Sequence, residues 1–126
     1  MSVDIEFPLP GDIVGPEFQA GGVYDIRELK KEKKDEKECR TIDLYRVVCT
    51  LYQEGGTMAI QQKMSPDSMQ GVGVWDVTFS VNMNYTDCVI KAELQHNSAP
   101  TGARDEVVDV DIDAAADVAI ATEPTP

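Results

Sequence analysis

Gly73-Val-Trp-Asp-Val-Thr-Phe-Ser-Val-Asn82 decides the fold class. In an extended chain Trp75, Val77, Phe79 and Val81 fall on one side and Asp76, Thr78 and Ser80 on the other. Alternation of this kind belongs to an antiparallel strand with one face buried and the other in water. The same two-residue period recurs on either side. Asp43 to Gln53 sets Val47, Cys49 and Leu51 against Val48, Thr50 and Tyr52. Thr86 to His96 turns Cys88, Ile90, Ala92 and Leu94 inward and Lys91, Glu93 and Gln95 outward. Glu106 to Asp113 sets Val108, Val110 and Ile112 against Val107, Asp109 and Asp111. Val3 to Phe7, about Phe18 to Ile26, and Thr57 to Lys63 bring the expected strands to about seven. The separators are rich in turn residues: Pro8-Leu-Pro-Gly11, Glu54-Gly-Gly56, Met64 to Gly71, Asn82 to Tyr85, and a loop holding Pro100 and Gly102. Strands so short and so closely spaced predict an all-β antiparallel sandwich.

Composition narrows the role. The chain has 126 residues, enough for one domain, and its 42% apolar content supports a packed core. Against 23 Asp and Glu stand 11 Lys and Arg, a net charge of -12. Such a surface argues against nucleic-acid and anionic-membrane partners, which require Lys and Arg to neutralise phosphate. The start, Met1-Ser-Val-Asp-Ile-Glu-Phe-Pro, has neither a basic n-region nor an apolar h-region, so a secretory leader is not expected there. No apolar run approaches the length of a membrane span.

Two stretches break the strand pattern. Residues 27–40, Arg-Glu-Leu-Lys-Lys-Glu-Lys-Lys-Asp-Glu-Lys-Glu-Cys-Arg, hold seven basic and five acidic residues and read as a charged excursion. Outside them four basic residues face 18 acidic ones, a balance of -14. Residues 114–126 read as a flexible or partner-bound tail. The expected organisation is therefore a sandwich over 1–113, interrupted at 27–40, and a tail.

The ordered fragments Gly11-Asp-Ile-Val-Gly, Phe18-Gln-Ala-Gly-Gly, Val48-Cys-Thr-Leu-Tyr-Gln, Gly73-Val-Trp-Asp-Val-Thr-Phe, Tyr85-Thr-Asp-Cys-Val-Ile-Lys-Ala-Glu-Leu and Val108-Asp-Val-Asp-Ile resemble the bacterial immunoglobulin-like domains of surface, secreted and phage proteins. The resemblance covers about residues 3 to 113 and rests on core positions, which speak for fold more than for function. It implies an immunoglobulin-like sandwich that acts by binding. In two respects the chain departs from the family: the excursion is longer than the usual connection at that point, and the domain stands alone.

Catalytic chemistry finds little to work with. His96 is the only histidine, which removes most triads and zinc sites, and it reads as a surface residue, with a pH-sensitive contact as the alternative. Cys49 and Cys88 face inward on strands expected to be neighbours. They are either two small buried hydrophobes or a cross-strand disulfide, although the bridge implied by the resemblance would need a Cys in the second strand, which has none. Asp109, Asp111 and Asp113, with Asp105 and Glu106, suggest calcium by their oxygens. Alternate strand residues stand almost 7 Å apart, so a shared ion would need a ligand from elsewhere, and a solvated acidic face is the simpler reading. No enzyme activity, cofactor or metal is expected.

Two roles remain. The leading one is a structural and interaction module, an accessory virion protein of the capsid-decoration or head-fibre type, assembled in the host cytoplasm. Its contact arm would be Lys30, Lys31, Lys33, Lys34 and Lys37, reaching an acidic patch on a capsid or other virion subunit or on another copy. The other is a binding or spacer module of a cell-surface or secreted protein, with a carbohydrate platform drawn from Tyr24, Tyr45, Tyr52 and Tyr85.

Overall fold

A computed structural model of the protein describes residues 1–26, 44–53, 57–66 and 71–115. The charged excursion and its five lysines, and nearly all of the tail, lie outside the described residues. Among the described residues eight strands form: β1 (Ser2–Phe7), β2 (Ile13–Val14), β3 (Glu17–Asp25), β4 (Tyr45–Tyr52), β5 (Ala59–Met64), β6 (Val72–Ser80), β7 (Tyr85–His96) and β8 (Ala99–Ile112). They make two sheets, ordered β1-β3-β6 and β2-β8-β7-β4-β5. All pairings are antiparallel except β2 with β8.

The alternation read from the sequence becomes the core. Phe18, Ala20, Trp75, Val77 and Phe79 of the three-stranded sheet pack against Val47, Cys49, Leu51, Cys88, Ile90, Ala92 and Leu94 of the five-stranded sheet. Phe18 and Phe79 meet at 5.5 Å between ring centroids, tilted by 35°, a favourable aromatic geometry. Burying such side chains stabilises the fold by about 1.5–3 kcal/mol each.

One edge of the sandwich depends on a missing side chain. Gly22 faces inward opposite Trp75, and β1 carries an extra residue between Ile5 and Phe7 that folds its backbone over the edge. A Cβ on Gly22 would run into the Asp4 carbonyl. With only hydrogen there, that carbonyl accepts the Trp75 indole N–H at 3.2 Å, and the next amide, Ile5 N–H, reaches across to the Asp105 carboxylate on β8 at 2.8 Å. Beyond a cis Phe7–Pro8 peptide the chain turns through Gly11 (φ 92°) and enters the other sheet as β2. β2 is not expected from the sequence, because two residues carry no period.

Two expectations for the last strand need correction. The stretch with Pro100 and Gly102 is not a loop: β8 begins at Ala99. Along most of its length β8 has β7 on one side only, and a strand edge tolerates the loss of the N–H that proline lacks. Val108 does not face inward with Val110 and Ile112 either. It is 45% exposed, whereas Val107 is buried. Cys88 and Ile90 of β7 pair with Val110 and Val107, so two steps on β7 oppose three on β8. The extra residue is a β-bulge at Asp109, whose φ of 63° lies in the left-handed region. It reverses the facing of everything before it.

The Gly22 contact sets a direct test. In thermal and urea unfolding, Gly22→Ala is expected to lose about 3 kcal/mol through overpacking, and unchanged stability would show that β1 does not cross there.

Candidate functional site

The outer face of the five-stranded sheet carries a connected set of polar side chains. Its rungs run across four strands: Gln62, Thr50, Lys91 and Glu106 in one, and Met64, Val48, Glu93 and Arg104 in the next. Lys91 stands opposite Glu106, and Glu93 opposite Arg104. Along β7 and β8 the sign also alternates, which makes a four-charge checkerboard. Opposite charges facing across strands contribute roughly 0.2–1 kcal/mol per pair.

Hydrogen bonds and a ring contact hold the surrounding side chains. Arg46 Nε donates to Gln95 Oε1 at 3.0 Å, and Gln62 Nε2 donates to Thr50 Oγ1 at 3.0 Å. The Lys91 ammonium lies 4.8 Å from the centre of the Tyr52 ring, within cation–π range. Val48 and Thr50 point outward yet are only 6% exposed, because the longer side chains around them rise above the central strand. The result is an open trough of about 870 Å³ with a short-side-chain floor and a charged rim.

Charge is divided unevenly between the sheets. The four basic residues outside 27–40, Arg46, Lys63, Lys91 and Arg104, all lie on the five-stranded sheet. Three of them line the trough. The strands of the other sheet carry Asp4, Glu6, Glu17, Asp25 and Asp76 and no Lys or Arg. On a molecule of net charge -12, the trough is the described region where positive charge offsets negative.

The remaining sequence candidates separate. Tyr24 and Tyr45 are buried, Tyr52 is half-buried beside Lys91, and Tyr85 is half-buried with its hydroxyl on the Met83 sulfur at 3.8 Å. Among the described residues they do not form an exposed aromatic platform. His96 is half-buried and stacked on Tyr45, with ring centroids 4.6 Å apart, so it is not a freely solvated surface residue. Cys49 pairs in register with Ala92, four residues from Cys88. About 13 Å of strand therefore separates the thiols, far beyond disulfide reach, and both are free and buried.

Asp109 lies at the bulge and Asp111 just beyond it on β8. With Asp87 of β7 their carboxylate oxygens all lie within 4.8 Å of one another. Asp111 Oδ1 accepts the Asp87 N–H at 3.0 Å. Asp87 is a carboxylate from outside β8 of the kind a shared ion would need. Asp105 serves a different purpose, receiving the Ile5 and Glu106 amides. The group is largely solvent-facing, and exposed acidic groups of this kind are ordinary on so acidic a surface.

No protein-family model matches the chain, and no curated protein matches it.

Two outcomes follow from the buried thiols and the bulge. Burial pushes the Cys49 thiol up to about 12; burial, with the Asp111 and Asp87 carboxylates adding to it, pushes Cys88 up to about 11, both from an ordinary 9.0. A thiol raised in the folded state contributes its full stability below the unfolded value and loses it as pH climbs. Stability should therefore fall as pH climbs above 9, toward about 11 through Cys88 and about 12 through Cys49. Urea titrations at pH 8 to 11 should show a shallower loss in Cys49→Ala, and identical slopes would contradict the assignment. Asp109→Gly should stabilise the fold by up to about 1 kcal/mol by relieving the left-handed backbone, whereas a lower melting temperature in that variant would mean that the Asp109 side chain itself supports the bulge.

Proposed function

We propose that this chain is a non-enzymatic structural and interaction module, built as an immunoglobulin-like sandwich and working through protein–protein contacts. The observation that carries this reading is the placement of its positive charge. A surface this acidic repels most proteins of its kind, and the trough is where an approaching surface meets balanced charge and a network of donors and acceptors. Complementary charge patterns of this type favour specificity and encounter rate over raw affinity.

The strand order supports the immunoglobulin-like assignment. With β1, β3 and β6 as the first, second and fifth strands of such a domain, β4, β7 and β8 take the places of its third, sixth and seventh. β5 then lies beside the third strand, as an added strand does in the larger variants of the fold. The chain differs in having Trp75 on the fifth strand rather than the third and, among the described residues, no bridge between the sheets. A hydrogen bond from the Trp75 indole ties β6 to β1 within one sheet.

Within this class we favour an accessory virion protein of the capsid-decoration or head-fibre type, on the sequence resemblance to phage-borne domains. The docking surface is then the trough, which carries its own mixed-charge pattern toward a capsid subunit. The carbohydrate-binding alternative loses support from the burial of Tyr24 and Tyr45 and the partial burial of Tyr52 and Tyr85.

Gradient sedimentation of the natively purified chain tests the proposal. The wild type is expected to migrate with a larger particle, and Lys91→Gln combined with Arg104→Gln is expected to reduce the bound fraction at least tenfold while the melting temperature stays within a few degrees. A wild-type chain found solely as a free monomer in the presence of its native assembly would refute the virion reading. Retained co-migration of the double variant would move the contact away from the trough.

A further inference from the structure

The three-stranded sheet has a long edge that, among the described residues, no other strand covers. β6 pairs with β3 from Glu17–Ser80 to Asp25–Val72, without a break in register. On its opposite side, at Ser80, the side-chain amide of Gln61 on β5 occupies the backbone: Ser80 N–H donates to Gln61 Oε1 at 2.9 Å, and Gln61 Nε2 donates to the Ser80 carbonyl at 2.9 Å. Backbone groups alternate in direction along a strand. The N–H and C=O of Val72, Val74, Asp76 and Thr78 therefore point the same way as those of Ser80, and among the described residues β3 is the one strand that pairs with β6.

Exposed strand edges are usually guarded by lysines, prolines, bulges or short length. β6 has nine residues and no bulge, and its one charge is Asp76. Val74 is 75% exposed and Val72 54% exposed, both on the solvent face, with Val23 in register beside Val74. An incoming strand would find backbone groups to pair with and an apolar strip for its own alternate side chains.

Charge selects the occupant. The sheet that would be extended carries five acidic residues on its strands and no Lys or Arg. Pairing β6 with β6 of a second copy would bring two such sheets edge to edge, with like charge across the junction. We propose that the outer edge of β6 accepts, by strand addition, an extended segment of a protein partner that alternates apolar residues with Lys or Arg. This site lies on the sheet opposite the trough and does not depend on the trough's role.

The test uses the full chain, labelled with ¹⁵N, and a synthetic probe of sequence Lys-Val-Thr-Val-Lys-Val-Thr-Val-Lys, with a control in which Glu replaces each Lys. In the free protein the amides of Val72, Val74, Asp76 and Thr78 should exchange rapidly with solvent. The Lys peptide should slow all four at least tenfold, the Glu peptide should not, and 0.5 M salt should weaken the effect. Val74→Pro, which removes an outward N–H, and Val74→Lys, which adds a repelling charge outside the β3 ladder, should each abolish the protection. Slow exchange at these amides without peptide would show that the chain covers its own edge and would overturn the proposal. So would absence of protection at millimolar peptide, protection that survives both variants, or self-association that Val74→Lys removes, the last assigning the edge to a second copy.

Discussion

β8 must satisfy three neighbours at once: β7 along most of its length, β2 near its end, and β1 at Asp105. A strand of unbroken two-residue period cannot do this while burying both Val107 and Val110. The extra residue at Asp109 removes the conflict by changing the phase. Before it, Val107 faces inward and Arg104 and Glu106 face out over the trough; after it, Val110 and Ile112 close the core. The same bulge turns the Asp109 carbonyl to the Gly11 amide at 2.8 Å, and Asp111 N–H donates to the Asp12 carbonyl at 3.0 Å. These bonds bring β2 against β8. A one-residue irregularity thus sets the charged rim, the acidic cluster and the crossing of the N-terminal segment.

The two faces of the sandwich meet solvent with different electrostatics. Sheets pack about 10 Å apart, and the screening length at physiological salt is about 8 Å. The acidic residues outside the three-stranded sheet and the mixed pattern outside the five-stranded sheet therefore act largely as separate surfaces. Net charge alone describes the molecule as a uniform repeller of polyanions. Resolved by sheet, the described strands of one side carry acidic residues and no Lys or Arg, whereas those of the other are locally balanced.

Edges reveal a similar division. At one end β5 is joined to the opposite sheet through the Gln61 amide, a side chain that imitates the backbone of a neighbouring strand at Ser80. At the other, β1 folds over toward β8 and β2 pairs with the end of that strand. These contacts tie the two sheets together at their margins, where side-chain packing between them is thinnest. Gly22, Asp105 and Gln61 are the residues on which this closure rests, and none of them belongs to the apolar core.

The sequence by itself determined the strand-rich class, the placement of most strands and the inward faces of β4, β6 and β7, because a two-residue period is a local property that burial of one face enforces. It also located the outward Lys91, Glu93 and Gln95. It could not show that Arg104 and Glu106 stand opposite them, since that depends on the phase of β8, and the run Val107-Val108 offers apolar residues to either face. Asp87 escaped notice for a related reason: its neighbours in space, Asp109 and Asp111, lie more than twenty residues away, and the bulge that gathers them has no apolar signature. Ile13–Val14 is too short for any period to register. Only the tertiary structure decided that Cys49 and Cys88 sit four residues out of register, that Tyr24 and Tyr45 belong to the interior, and that every described Lys and Arg lies on one sheet. Each of these is a relation between strands, fixed by register and layer order, to which the local pattern along a single strand is indifferent.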